Sequence, residues 1–193
     1  MSNFLLRDPN CVLIHIPKTG GSTIREGLWG GRYVGPVFGA IPSEWAGYLK
    51  FAFVRNPLDR LVSAWADFSG YRRFSGSIDE FIEVVMDERV IYDERRTTLA
   101  ERIRHHTIPQ THRFNCLSCA DVVGRFEDYE KDLGEVLRRV GFAYGEIPRI
   151  RSTGHQCWRF YLTKPKLSRA SCSGVAAFGM TEERHDFLRH LLQ

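Results

Sequence analysis

The chain has 193 residues, 43% of them hydrophobic and 26% charged, and 12% of them aromatic. That composition excludes a disordered chain and suits a single domain over residues 1–193 with a core of its own. The formal net charge of +4 suits an anionic ligand, but no Lys/Arg run or nucleic-acid module accompanies it, so no nucleic-acid partner is expected.

The opening segment, MSNFLLRDPN, lacks the basic n-region and long apolar stretch of a leader. No run approaches the roughly 20 apolar residues of a membrane span. A cytoplasmic protein is the expectation. Five cysteines are an odd number and too few for a disulfide scaffold.

Cys11 to Ile16 (CVLIHI) reads as a buried strand that runs into a loop at Pro17. From Ser22, STIREGLW reads as a short helix closed by Gly30-Gly31. Tyr33 to Trp45 is punctuated by Gly and Pro and has no clear period. Phe51 to Arg55 (FAFVR) is a second buried strand, after which Asn56 suits an N-cap and Pro57 the first helical position. Leu58, Leu61, Val62, Trp65 and Phe68 follow at helical spacing. Ser77 and Glu80 form a capping box ahead of DEFIEVVMDER. Val90 to His105 is open between helix and irregular structure.

Asp121 to Phe126 reads as a third strand. Tyr129, Leu133, Val136, Leu137 and Val140 form the next amphipathic stripe, with Gly141 as its C′ residue. Ile147 to Gly179 is poorly patterned, and Thr181 suits the cap of a last helix. Alternating strands and helices imply an α/β fold of three layers, a central, mostly parallel sheet flanked by helices. In such folds ligands sit at the carboxyl ends of the strands.

Two strands end on unusual polar segments. Pro17-Lys18-Thr19-Gly20-Gly21-Ser22-Thr23 joins a strand to a helix. Its glycines let the backbone turn tightly and gather N–H groups into one concavity, and Lys18 and the hydroxyls add charge and donors, so the segment reads as an anion site. It is not the nucleoside-triphosphate loop, whose lysine follows the second glycine; here Lys18 precedes both. The second segment, Phe51 to Trp65, sends Arg55 out of a strand, where a guanidinium can fork onto a phosphate. Ser63 lies off the apolar stripe.

The order Lys-Thr-Gly-Gly-Ser-Thr after a strand resembles the 5′-phosphosulfate loop of the sulfotransferases that use 3′-phosphoadenosine-5′-phosphosulfate (PAPS). The segment FAFVRNPLDRLVSAW resembles that family's 3′-phosphate segment. A third stretch is similar to the membrane-type carbohydrate sulfotransferases (the chondroitin and heparan-sulfate enzymes) and their bacterial relatives. It comprises His106-Thr-Ile-Pro-Gln110, Cys116 and Cys119, Asp121 to Asp132, and Val140 to Phe142.

The resemblance implies a P-loop-like fold and transfer of a sulfuryl group from PAPS to a hydroxyl or amine acceptor, leaving adenosine 3′,5′-bisphosphate. It gives Lys18, Thr19, Gly20, Gly21, Ser22 and Thr23 to the 5′ side of the donor and Arg55 and Ser63 to its 3′-phosphate. Lys18 also meets the charge that grows on the bridging oxygen. No metal is required.

The general base is where this chain departs from the family. Many carbohydrate sulfotransferases have a histidine between the two nucleotide segments, whereas Thr23 to Phe51 here contains none. Glu44, in that interval, and His106, in the third stretch, are the candidates; a turn-shaping role competes for His106. His15 is read as a packed strand residue, and Asp59 and Arg60 are given no chemistry. A zinc site of Cys116, Cys119, His155 and Cys157 has poor spacing, and two thiols or a local disulfide is the plainer reading. Arg72, Arg73, Arg95, Arg96, Arg102, Arg104 and Arg113 either draw in an anionic acceptor or are solvated helix faces. The competing functions are a non-catalytic binder of PAPS or its bisphosphate, and a small kinase. Against the kinase stand the position of Lys18 and the lack of an acidic magnesium ligand after a strand.

Overall fold

The computed structural model describes residues 2–90 and 97–147. The expected helix after Thr181 and the residues Arg95, Arg96, His155 and Cys157 lie outside them. Five strands form one sheet: β1 (Ser2–Arg7), β2 (Asn10–Ile14), β3 (Val34–Phe38), β4 (Leu49–Val54) and β5 (Val122–Arg125). Their order is β3-β1-β2-β4-β5. The parallel part is β2-β4-β5, in register from Cys11 opposite Leu49 and from Phe51 opposite Val122.

The α/β sheet flanked by helices is as expected, but it is mixed. β1 is antiparallel to both β2 and β3, and neither β1 nor β3 stands out from the sequence. Ser2–Arg7 is a short run whose only large apolar residues are Phe4, Leu5 and Leu6, too few to show a period. β3 carries Gly35 and Pro36, which argue against a strand in general but are tolerated at the sheet edge it occupies.

Period-two alternation along the strands builds two cores. Phe4, Leu6, Cys11, Leu13, Phe51 and Phe53 point to one face. There they meet Ile24 and Trp29, and Leu133, Val136 and Leu137 of α4 (Tyr129–Arg139 in the full helix order). On the other face Leu5 and Val12 pack on Trp45, and Ile14 and Ala52 pack on Cys116. Each fully buried side chain of this size stabilises the fold by about 1.5–3 kcal/mol.

Between β4 and β5 lie α1 (Pro57–Tyr71), α2 (Ile78–Met86) and α3 (Leu99–Thr107). They share an apolar cluster of their own, which includes Leu61, Ala64, Phe68, Phe81, Ile82 and Ile103. The stripe expected for α1 is partly displaced, since Leu58 is exposed and Trp65 only half-buried.

Local signals explain where these helices start. Asn56 accepts from the Leu58 and Asp59 N–H groups at 3.0 and 3.3 Å, with Pro57 at the first helical position. Ser77 and Glu80 form the capping box at α2. A second box, Thr98 with Glu101, starts α3, so that the ambiguous stretch is helical from Leu99 onward. Gly141 ends α4 with a φ of 70°.

Candidate active site

The first polar segment leaves β2 at its carboxyl end. Its backbone takes positive φ at Lys18 (70°) and Gly20 (88°) but not at Thr19 between them. Such alternation of hand turns successive N–H groups to one side and makes an anion-binding concavity. Thr19 is buried, and its hydroxyl donates to the Ile16 carbonyl at 2.8 Å. That side chain shapes the loop, leaving its backbone N–H as the group for a ligand.

Both glycines are needed for space. A Cβ on Gly20 would lie 2.6 Å from Tyr129 Cε2, and one on Gly21 would lie 2.2 Å from His15 Cδ2. The Tyr129 hydroxyl donates to the Gly20 carbonyl at 2.8 Å and so pins the loop to the start of α4. Ser22 and Thr23 lead into a six-residue helical stretch, Thr23–Leu28, wider than an α-helix: the Trp29 N–H reaches back to the Ile24 carbonyl.

The second segment leaves the neighbouring strand β4 at the same edge. Arg55 is gripped by Gln110: its N–H donates to Gln110 Oε1 at 2.9 Å, and Gln110 Nε2 donates to its carbonyl at 2.8 Å. This reciprocal pair works like one more rung of sheet. The Arg55 guanidinium stacks over Phe126 at 4.2 Å and donates to the Lys18 carbonyl at 3.3 Å, so the two segments touch through the residue expected to hold phosphate.

On α1 the polar residues Arg60, Ser63 and Asp67 recur at i, i+3 and i+7, which sets them on one face. All three are buried. Arg60 donates to the carbonyls of Pro17, Ile108 and His106 at 3.0, 2.9 and 2.9 Å. It therefore ties α1 to both the loop and the end of α3. Burial, then the charge of Arg55, lowers its pKa to about 10.

At the far end of that face Asp67 meets two cations, Lys18 Nζ at 3.7 Å and Arg72 Nε at 2.7 Å. Burial pushes the Lys18 ammonium below the ordinary lysine range. Asp67 opposes that shift, and Arg72 and Arg55 add to it.

His106, in the last turn of α3, lies against Phe68. Its Nδ1 is 2.8 Å from the Arg102 carbonyl. A carbonyl only accepts, so Nδ1 carries the proton and Nε2 of the neutral ring is an acceptor. Burial and then Arg72 hold its pKa down to about 3. His15 is held down to about 3 as well, by burial and then Arg25.

Lys18, Thr19, Gly20, Gly21, Ser22, Thr23 and Arg55 thus converge at adjoining carboxyl ends of β2 and β4; Ser63 is buried on the α1 face that Arg60 ties to the loop, and His106 stands at the margin of the group. Glu44 does not join them. It is exposed on the turn Ser43–Trp45. That turn leads into the amino end of β4, where Lys50 Nζ donates to the Ala46 carbonyl at 3.0 Å.

Arg60, Asp67, Gln110 and Tyr129 are the supporting residues that motif reading passes over. Gln110 and Tyr129 lie inside the matched third stretch. Arg60 and Asp67 are marked by their helical spacing from Ser63. Cys11, Cys116 and Cys119 are free thiols, and among the described residues no group of three or more His, Cys, Asp or Glu is arranged to hold a metal.

The sequence profile described as the sulfotransferase family matches residues 40–155. The chain belongs to the sulfotransferase family. The match takes in Arg55, Ser63, Asp67 and His106 and begins after the Lys18 loop.

Among relatives, the chain is similar to carbohydrate sulfotransferase 14 of Homo sapiens, 30% identical along an alignment of 151 residues, with 67% of this chain and 38% of that protein covered. The protein of that name from Danio rerio is 28% identical over 65% of this chain and 38% of its own length. An uncharacterized protein of Archaeoglobus fulgidus is 27% identical over 58% of this chain and 84% of its own. The chain thus spans about two fifths of the length of the carbohydrate sulfotransferases it matches. Among solved structures, a sulfotransferase from Alicyclobacillus acidocaldarius aligns over 60% of this chain and 49% of its own, with 19% identity and a TM-score of 0.36.

Proposed function

We propose that this chain is a PAPS-dependent sulfotransferase that moves the sulfuryl group to a hydroxyl, or an amine, of a carbohydrate or small metabolite. The observation that carries the proposal is the junction of the two polar segments, where the Arg55 guanidinium bonds the Lys18 carbonyl beside a loop of alternating hand. A bisphosphorylated nucleotide needs two anion sites a nucleoside apart, and two such segments leave adjacent parallel strands at one edge. The carbohydrate class rests on the names of the relatives, carbohydrate sulfotransferase 14.

In the transfer the acceptor oxygen attacks sulfur in line. The bond from sulfur to the bridging oxygen breaks, that oxygen keeps the electron pair on adenosine 3′,5′-bisphosphate, and the acceptor loses a proton. Lys18 is the cation nearest the loop and meets the new charge on the bridging oxygen, an interaction stronger in the transition state than before it. The loop N–H groups and Ser22 hold the 5′-phosphate, and Arg55 and Ser63 hold the 3′-phosphate.

For the acceptor proton we favour His106 over Glu44. The Arg102 carbonyl fixes His106 in the tautomer that leaves Nε2 free to accept. Its basicity is low because of burial first, and then because Arg72 and Lys18 oppose a third positive charge. A bound polyanion would offset both and raise it.

Calorimetry with adenosine 3′,5′-bisphosphate, without magnesium, tests the donor site. Turnover of PAPS with a panel of sugars then tests the chemistry. Tight binding without turnover on any acceptor would leave a binder. A preference for ATP–magnesium would sink the proposal.

A further inference from the structure

We propose that Asp67 is a positioning residue for Lys18, a counter-ion that holds the ammonium charged beside the loop until an anionic donor takes its place. The function assigned to Lys18 rests on the donor-site reading above; the pairing itself does not.

Asp67 has two carboxylate oxygens and uses them on different cations. Oδ2 accepts from Arg72 Nε at 2.7 Å, a tight bond. Oδ1 is 3.7 Å from Lys18 Nζ, an ion pair longer than a hydrogen bond. The Asp67 side chain is only 11% exposed and the Lys18 side chain 17%, so the pair is screened far less than one on the surface. The asymmetry matters. Lys18 is the looser partner and can leave without stranding a bare carboxylate, because Arg72 stays. Arg72 is itself braced, its guanidinium 5.0 Å from the Phe68 ring.

The groups that act on Lys18 come from every side of the loop. Asp67 and Arg72 belong to α1 and its C-cap, and Arg55 to the end of β4. His106 on α3 and His15 on the loop's own approach are both electrostatically coupled to it and are neutral at physiological pH. Burial, Arg72 and Arg55 all favour the neutral amine, and Asp67 is the group that opposes them. Removing it therefore leaves an amine that loses its proton at lower pH and has nothing to hold it in place. A neutral amine supplies no charge to a leaving oxygen.

Two substitutions give opposite signs. Asp67→Asn removes the opposing carboxylate, while Arg72→Gln removes a competing cation and leaves both Asp67 oxygens to Lys18. The titration of Lys18 is followed by NMR on protein carrying 13Cε-lysine, with the signal assigned by its loss in Lys18→Arg, and kcat/KM, which reports the free enzyme, is measured against pH for the same proteins. A single charge at this range typically moves a neighbour by about one pH unit or more. The Lys18 midpoint and the alkaline limb of kcat/KM should fall together in Asp67→Asn and rise together in Arg72→Gln.

A loss of rate equal at every pH, with the Lys18 midpoint unmoved, would mean a structural role and overturn the proposal, as would shifts of the same sign in both variants. If Asp67→Asn does not fold, Arg72→Gln decides alone: Arg72 is 36% exposed, and an unmoved midpoint there refutes the idea. Failure of the wild type to bind adenosine 3′,5′-bisphosphate would sink the donor site while leaving opposed Lys18 shifts intact. Binding with unshifted midpoints would sink only the assignment of Asp67.

Discussion

Arg60 is a guanidinium buried without a carboxylate: among the described residues its partners are three backbone carbonyls. Arg60→Met keeps most of the volume and removes every donor. Each bond from a charged donor contributes about 1.5–3 kcal/mol, and each buried carbonyl left unpaired costs about 1–3 kcal/mol. Against that, a buried cation carries a desolvation penalty of several kcal/mol that the methionine relieves. The balance is a loss of about 3–5 kcal/mol, a large part of a typical total of 5–15 kcal/mol.

Arg60→Lys should lose about half as much, since one compact ammonium cannot reach three carbonyls spread around a planar fork. Urea unfolding followed by the fluorescence of the four tryptophans reads the loss. Calorimetry with adenosine 3′,5′-bisphosphate reads the second consequence, weaker binding, because one acceptor is the Pro17 carbonyl at the root of the loop. A methionine variant within about 1 kcal/mol of wild type, binding the bisphosphate as tightly, would refute this account of Arg60.

Lys18→Ala should lower kcat about a hundredfold to a thousandfold while leaving the thermal midpoint nearly unchanged; near-wild-type turnover would remove Lys18 from the chemistry. Arg55→Ala should weaken binding of the 3′,5′-bisphosphate far more than that of the 5′-monophosphate, and calorimetry that finds equal losses would make Arg55 purely structural. Gly20→Ala should cost about 2–4 kcal/mol in urea unfolding, since φ is +88° and the new Cβ would lie 2.6 Å from Tyr129. Acid should destabilise the fold through His15 and His106. Both are held to about 3 when folded and return to about 6.5 when unfolded, so their stabilisation is full above pH 6.5 and is lost as pH falls toward 3. At pH 5 each costs up to about 2 kcal/mol, and His106→Gln should shrink the drop in stability between pH 7 and pH 5 by that much.

The parts of this fold that are legible in the sequence are those where one local rule decides. Asn56-Pro57 and Ser77 with Glu80 mark helix starts because caps satisfy backbone donors within three residues, and both caps form. The strands that carry the two polar segments announce themselves by apolar, β-branched and aromatic residues. β1 and β3 do not, because their pairing is decided by partners far along the chain and β3 breaks local propensity with Gly35 and Pro36. Glu44 is the instructive case at the site. Its place in the sequence, between the two nucleotide segments, suggests the catalytic interval. The chain, however, uses that interval to cross the sheet and return to the amino end of β4, so nearness in sequence does not become nearness in space. Arg60 looks like a solvated charge for the converse reason: helical spacing sets it on the face with Ser63 and Asp67, but only the tertiary fold brings three carbonyls to it.

That polar face of α1 also supports the proposal that the site takes an anion. Lys18 and Arg72 share one carboxylate, Asp67, and Arg60 has none among the described residues. Three cations around one carboxylate would repel each other in a closed core. They are tolerated here because carbonyls take up the Arg60 donors and because the Lys18 and Arg72 side chains keep partial contact with solvent. The lowered pKa values of Lys18 and Arg60 are the record of that imbalance, since each reflects burial first and a neighbouring cation second or later. A ligand carrying several negative charges relieves burial and repulsion together, so its binding should raise both pKa values and take up protons at alkaline pH. Calorimetry of adenosine 3′,5′-bisphosphate in two buffers of different ionisation enthalpy measures that uptake. Proton release instead would mean that the ligand does not sit among these cations.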